Sequence, residues 1–279
     1  DDLRDINELK ISYGANLLRY PGGKARLWNG KLEKLMPSGS MFCPNRYVEP
    51  MVGGGGACMQ ALIRCEYKDI FIADIDRSLV DLWIVVRDMP KRLTSMVQRW
   101  VPNVDDWYKA KASDGIITDR LESAFNKLVL HYCSHGGIGF MAGGPQGGAS
   151  QDSQYPIGCR WNPHRISMTI AHISKLIKRA NVECCDFEGI VLMDGDFVFA
   201  DPPYVTAGAS LYKHPFGEVD HVRLRDWLVS SPAEWVVTYD DCELVRSLYA
   251  GFQILSVENS SGNNASKTEL FITSVTGAL

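Results

Sequence analysis

The sequence predicts an α/β fold: an open sheet of seven strands with the last strand antiparallel, plus an inserted and mostly helical lobe. Three observations predict it. Seven short apolar runs are spread along the 279 residues, at 46–51, 69–75, 182–187, 196–203, 234–239, 252–260 and 268–274. Continuous apolar runs imply strands buried on both faces of a sheet, and the helical stripes between them argue for an open, mostly parallel one. Only the last two runs are joined by a link, "SGNNASK", too short for a crossover helix, so these two strands are antiparallel neighbours.

Each element follows in turn. The first run, "RYVEPM", ends at Glu49-Pro50 and passes through four glycines, Gly53 to Gly56, into a helix beginning near Ala57. The second, "DIFIADI", leads to a helix with Leu79, Leu82, Trp83 and Val86 on one face and Pro90 as a break. The alternation then stops. Leu121, Phe125, Leu128 and Tyr132 form one helical stripe, and Ile166, Ile170, Ile173 and Ile177 another. Between them lies "HGGIGFMAGGPQGGASQDSQYPIG", whose length and eight glycines point to a functional or mobile loop. Residues 1–76 and 166–279 are expected to form the sheet domain, and 77–165 an inserted second lobe. Downstream, "DDCELVRSLYAG" reads as a helix with acids at its start and Gly251 at its stop.

The composition, 46% hydrophobic and 22% charged, is that of a soluble globular chain. No apolar run is long enough to span a membrane and "DDLRDINELK" is not a signal peptide, so a cytoplasmic monomer is expected. The eight cysteines fit neither a zinc ribbon nor a disulfide framework. His131, Cys133 and His135 stand two apart, which on a helix turns them to different sides, so no metal is expected. The net charge of −4 does not favour a polyanion partner. Yet between Ser153 and Val182 stand Arg160, Arg165, Lys175, Lys178 and Arg179 with no acid, either a solvated helix face or a binding patch.

The chemistry starts at "VEPMVGGGGACMQ". Glycines such as Gly53 and Gly55 at a strand–helix turn let a ligand approach the backbone and the helix N–H groups. Glu49 at the strand end would repel a pyrophosphate and suits an amine-bearing or cationic ligand. Asp74 ends the next strand about twenty residues on, where a carboxylate can accept both hydroxyls of a ribose. Asp76 fits the helix N-cap better. Upstream, "RYPGGK" offers Lys24 to a ligand carboxylate and Tyr20 to an apolar ligand face. S-adenosyl-L-methionine has all of these parts.

The fourth run ends in "DPPY", residues 201–204. An exocyclic aromatic amine is a poor nucleophile because its lone pair is delocalised into the ring. Asp201 and the carbonyl of Pro202 can accept its two N–H bonds, draw the nitrogen toward a tetrahedral shape and expose the lone pair. The paired prolines fix the carbonyl's direction, and Tyr204 can stack on the base. The methyl group then passes in line to nitrogen without a metal.

"RYPGGK", "VEPMVGGGG", "FIADID" and "DPPY", in that order, resemble the motifs of the Dam-type (DPPY, alpha-group) DNA adenine-N6 methyltransferases, and "HPFGEVDHVRLRDWL" and "SSGNNASKTELFIT" resemble that family's C-terminal third. The likeness covers most of 16–76 and 180–274. It implies the class I, Rossmann-like sheet of methyltransferases, with 1–76 and 166–279 binding S-adenosyl-L-methionine and 77–165 recognising the target. By this resemblance Tyr20, Lys24, Asp74 and Asp201 line the cofactor pocket, and Asp186-Phe187 hold the cofactor's adenine. The substrate would be adenine in double-stranded DNA, flipped out of the helix. Arg160, Arg165, Lys175 and Lys267 are the expected phosphate contacts. Family members carry an Asn-Arg…Asn-Gly-Leu…Arg pattern in the insertion where this chain reads "HYCSHGGIGFMAGGPQGG", so the recognition sequence does not carry over. The competing readings are the same chemistry on RNA, cytosine or a protein amide, and an inactive nucleic-acid-binding homologue.

Overall fold

The computed structural model describes residues 16–18, 45–64, 67–137, 139–206, 213–214, 216–260 and 266–275. Seven strands form one sheet: β1 (Arg46–Glu49), β2 (Asp69–Asp74), β3 (Ala180–Cys184), β4 (Asp196–Ala200), β5 (Glu234–Asp240), β6 (Gln253–Ser260) and β7 (Ser266–Thr273). Their order across the sheet is β3-β2-β1-β4-β5-β7-β6. β7 runs antiparallel to both of its neighbours, and the remaining pairs are parallel. All seven expected strands are present, with shifted ends. β3 stops at Cys184, so Asp186 lies beyond the strand and caps a 3-10 turn over Phe187–Gly189.

Side chains alternate across the pleat and split the core in two. Tyr47, Ile70, Ile72, Phe197, Phe199, Val236 and Phe271 pack toward one face. Val48, Phe71, Ala73, Val198, Ala200, Trp235, Val237 and Tyr239 pack toward the other. Six helices cover the first face: α1 (Gly56–Arg64), α2 (Arg77–Asp88), α3 (Pro90–Arg99), α4 (Val104–Ser113), α5 (Arg120–Cys133) and α6 (Pro163–Leu176). Two cover the second, α7 (Glu218–Val229) and α8 (Glu243–Leu248). The helices of 77–165 therefore share one continuous hydrophobic cluster with the sheet. Trp161 ties them together, meeting Trp100, Phe125 and Tyr132 edge-on at 4.7, 6.1 and 5.8 Å between ring centroids.

Polar side chains set the helix starts. Asp76, Asn103, Asp119 and Asn162 each accept a backbone N–H from the first turn of α2, α4, α5 and α6. The glycine-rich segment after α5 is a built loop. Ser134 bridges Pro145, and the Gln151 side chain donates to the carbonyls of Gln146 and Gly148 while accepting from the Ile157 amide.

Gly55 has φ +70°, and a Cβ there would lie 2.6 Å from Trp83 Cη2. The left-handed backbone and the clash with a fully buried ring both act against Gly55→Ala. Urea unfolding of this variant is expected to show a loss of about 2–4 kcal/mol.

Candidate active site

The strand order reverses between β1 and β4. The chain steps outward from β1 to β2 to β3, then returns to lay β4 on the free side of β1. The carboxyl ends of these strands diverge into opposite crossovers there, which opens a crevice. A cavity of about 240 Å³ occupies it, with Gly53, Asp74, Phe187, Asp201, Lys213 and Phe216 in its wall.

The glycine turn forms one side. The Val52 amide donates to the Ala73 carbonyl, and the Trp83 indole N–H donates to the Gly53 carbonyl. The Gly53 amide donates to Asp74 Oδ2 at 3.0 Å, and the Asp76 amide to Asp74 Oδ1 at 3.0 Å. Two backbone donors thus fix the carboxylate plane at the mouth of β2. Burial pushes the Asp74 carboxyl up to about 6, the two amide bonds offsetting only part of that cost.

Asp76, two residues on, behaves oppositely. It caps α2, accepting from the Ser78 amide, and meets Lys127 Nζ at 2.5 Å. Burial alone would raise its pKa, but the Lys127 ammonium and, farther off, Lys213 hold it well below the usual carboxylate range.

Glu49 lies behind the glycine turn, 2% exposed, accepting from the Tyr47 hydroxyl at 2.5 Å. Burial pushes its carboxyl well up, and the charges of Asp201 and Asp74 push the same way. Asp201 follows β4, and Thr238 on β5 donates to its Oδ1 at 2.6 Å. On the far wall Asp186 accepts from the Glu188 amide and from Arg223 Nη2 at 3.0 Å. Phe187 is buried beside Phe216 and Trp227, with the Arg223 guanidinium 5.0 Å above its ring.

Of the residues singled out in the sequence, Gly53, Asp74, Asp186, Phe187 and Asp201 meet in this cavity. Gly55 faces Trp83 instead. Pro202 is buried while Pro203 reaches the cavity wall, and Tyr204 is half-buried against the second-face core. Tyr20, Lys24 and the side chain of Lys267 lie outside the described residues. The register of β7 against β5 places the backbone of Lys267 at the cavity edge of the sheet. Arg160 donates to the Ser134 carbonyl and Arg165 is exposed in the first turn of α6, at that same edge. Lys175 sits in the last turn of α6, about 15 Å along the axis toward the opposite edge.

Lys213, Phe216, Arg223 and Thr238 were not singled out from the sequence. Arg223 carried a signal, since Asp220 precedes it by three on a helix. Thr238 carried none, being one polar residue inside a buried strand.

The two neighbouring acids have opposite linkage. Folded Asp74 keeps its proton up to about pH 6, against about 3.9 for an unfolded aspartate. Between those values the folded state binds more protons, so the contribution of Asp74 to stability falls as pH rises. That of Asp76 is present above the unfolded pKa and is lost as pH falls through its depressed folded value. A carboxyl-carbon NMR titration of the protein alone is expected to show Asp74 titrating near pH 6, with Asp76 ionised well below the usual range.

The model of the D12 class N6 adenine-specific DNA methyltransferases matches residues 20–262. Among curated relatives, the Type II methyltransferase M.MjaIII of Methanocaldococcus jannaschii is 24% identical over 270 residues, 86% of this chain and 89% of that one. The Type II methyltransferase M1.LlaDCHI of Lactococcus lactis subsp. cremoris is 25% identical over 276 residues, 88% of this chain and 93% of that one. The retron Ec67 DNA adenine methylase of Escherichia coli is 25% identical over 282 residues, 95% of this chain and 92% of that one. The family match takes in every wall of the cavity, from the glycine turn to Arg223, and the chain belongs to the D12 class N6 adenine-specific DNA methyltransferases.

Proposed function

We propose that the methyl donor is S-adenosyl-L-methionine, held in the switch-point cavity, and that Asp201 and the Pro202 carbonyl activate the N6 amine of an adenine flipped out of duplex DNA. The observation that supports this most is the convergence of three acids singled out in the sequence, Asp74, Asp186 and Asp201, on one cavity with an aromatic far wall, with Glu49 buried behind its glycine turn. Burial pushes the carboxyls of Asp74 and Glu49 up, so a positive charge brought beside them is favoured, and this cofactor is a sulfonium bearing an amine. When bound it supplies an electrophilic methyl group. Asp74 accepts the ribose hydroxyls on a carboxylate already oriented by two amides. Ile75, half-exposed beside it, and Phe187 flank the adenine, and Asp186 takes its exocyclic amine.

Thr238 holds Asp201 in place, so the carboxylate need not reorganise when the target amine arrives. Asp201 accepts one N–H of that amine and the Pro202 carbonyl the other, which localises the lone pair toward the methyl. Tyr204, three residues along the same corner, stacks on the extruded base. The insertion, 77–165, faces the DNA. Its overhanging loop and the start of α6 bring Arg160 and Arg165 to the cavity edge, where phosphates would pass. A single chain supplies all of these groups, so a monomer suffices. No helix among the described residues is long and apolar enough to cross a membrane, and we place the enzyme with its DNA in the cytoplasm.

Tritium transfer from labelled S-adenosyl-L-methionine to duplex DNA tests the catalytic corner. Asp201→Ala is expected to lose transfer by about a hundredfold or more, with an unchanged circular dichroism spectrum. Full turnover by this variant would exclude the corner.

The phosphate contacts have a separate readout. Reversing Arg165, alone and together with Arg160, to Glu is expected to weaken specific and random duplexes alike. It should flatten the salt dependence by about one unit of slope for each arginine reversed. Cofactor affinity should stay as in wild type. Wild-type binding across a salt series would move the DNA to another face.

A further inference from the structure

Three buried charges and a partly buried one meet beside the cavity. Lys127 Nζ lies 2.5 Å from Asp76 Oδ2 and 3.8 Å from Asp114 Oδ1. Lys213 Nζ lies 2.5 Å from Asp114 Oδ2 and 3.7 Å from Asp76 Oδ1. The side chains of Asp76, Asp114 and Lys127 are 6%, 2% and 3% exposed, and that of Lys213 is 21% exposed. Four parts of the chain meet here: the end of β2, the turn between α4 and α5, the middle of α5, and Lys213 beyond the catalytic corner. The turn comes close because Gly115 has φ +79° and a Cβ there would lie 3.1 Å from Lys213 Nζ.

Lys213 also lines the cavity, as do His214 and Phe216. Phe216 is fixed at its own end by the Phe187 ring at 6.2 Å and the His221 ring at 4.8 Å. The segment is thus pinned at Lys213 by charge and at Phe216 by aromatic packing, with His214 between. A buried ion pair adds little net stability over apolar side chains of the same volume, but it dictates one geometry.

We propose that Lys213 is a positioning residue for the cofactor: through Asp114 of the insertion and Asp76 at the end of β2, it holds the segment bearing His214 and Phe216 across the adenine end of the cavity. This rests on the reading that the cavity takes S-adenosyl-L-methionine. It makes Asp114, which is not in the cavity wall, a determinant of cofactor affinity.

Calorimetry on the full chain tests it with two probes, S-adenosyl-L-methionine and the uncharged-sulfur product S-adenosyl-L-homocysteine. Lys213→Met and Asp114→Asn are each expected to weaken both probes by about tenfold. The double variant should be no weaker than either single one, because both break the same link. Lys213→Arg should restore binding. In methyl transfer the loss for Asp114→Asn should appear in the cofactor KM rather than in kcat. Melting temperatures without ligand are recorded alongside; a lowered melting temperature with unchanged affinity means a purely structural pair and overturns the proposal. Wild-type binding of both probes by Lys213→Met overturns it while leaving the cofactor reading intact. A change confined to the sulfonium also overturns it, since Lys213 would then act by charge and not by position. If Lys213→Met does not fold, Asp114→Asn decides in the same way. Failure of the wild-type chain to bind either probe removes the cofactor reading, and the proposal with it.

Discussion

Sheet connectivity lays β1 and β4 side by side with their crossovers leaving in opposite directions. The crevice at their carboxyl ends follows from that geometry, and every group assigned to the chemistry hangs from it. The glycine turn leaves β1, Asp74 ends β2, Asp186 follows β3 and Asp201 follows β4. None of these residues is adjacent in sequence. They meet because parallel strands in register bring their ends to one level, with Tyr47 opposite both Ile70 and Phe197.

Crowding acids at that level has an electrostatic cost, and the fold distributes it. Asp76 is neutralised by Lys127 and supports the start of α2. Asp186 shares Arg223 with Glu188 and Asp220. Asp74 and Glu49 are left with hydrogen-bond donors rather than cations, and both are driven upward by burial. The paired acids are thus neutralised within the frame, whereas Asp74 and Glu49 keep a buried carboxyl held by hydrogen bonds alone.

The insertion is joined to this frame by packing and by charge. Its helices lie in the same apolar cluster as the sheet, and Asp114 and Lys127 reach into the wall region beside Asp76. The glycine-rich loop hangs from the ends of α5 and α6, on the cavity side of the sheet. Gln151, with φ +57°, stitches it across the turn with three side-chain bonds. Its glycines serve a compact turn sequence: at Gly147 a Cβ would meet the Tyr155 carbonyl at 2.9 Å.

Apolar runs, helical stripes and the short last link were legible in the sequence because burial on two faces and the 3.6-residue period leave local traces. So were Asp74 and Asp201, each the acid that ends an apolar strand, and Asp76 as a cap. What the sequence by itself determined was the seven strands, the helices α1, α2, α5, α6 and α8, and the acids at the strand tips. Tertiary structure alone decided the rest, because it depends on neighbours far apart in the chain. It turned Gly55 onto Trp83. It separated Arg165 from Lys175 by the length of a helix. It set Thr238 on Asp201, and it brought Lys213 to an aspartate 99 positions away. No local pattern encodes such a contact, since a buried lysine and an exposed one read alike until the chain has closed around them.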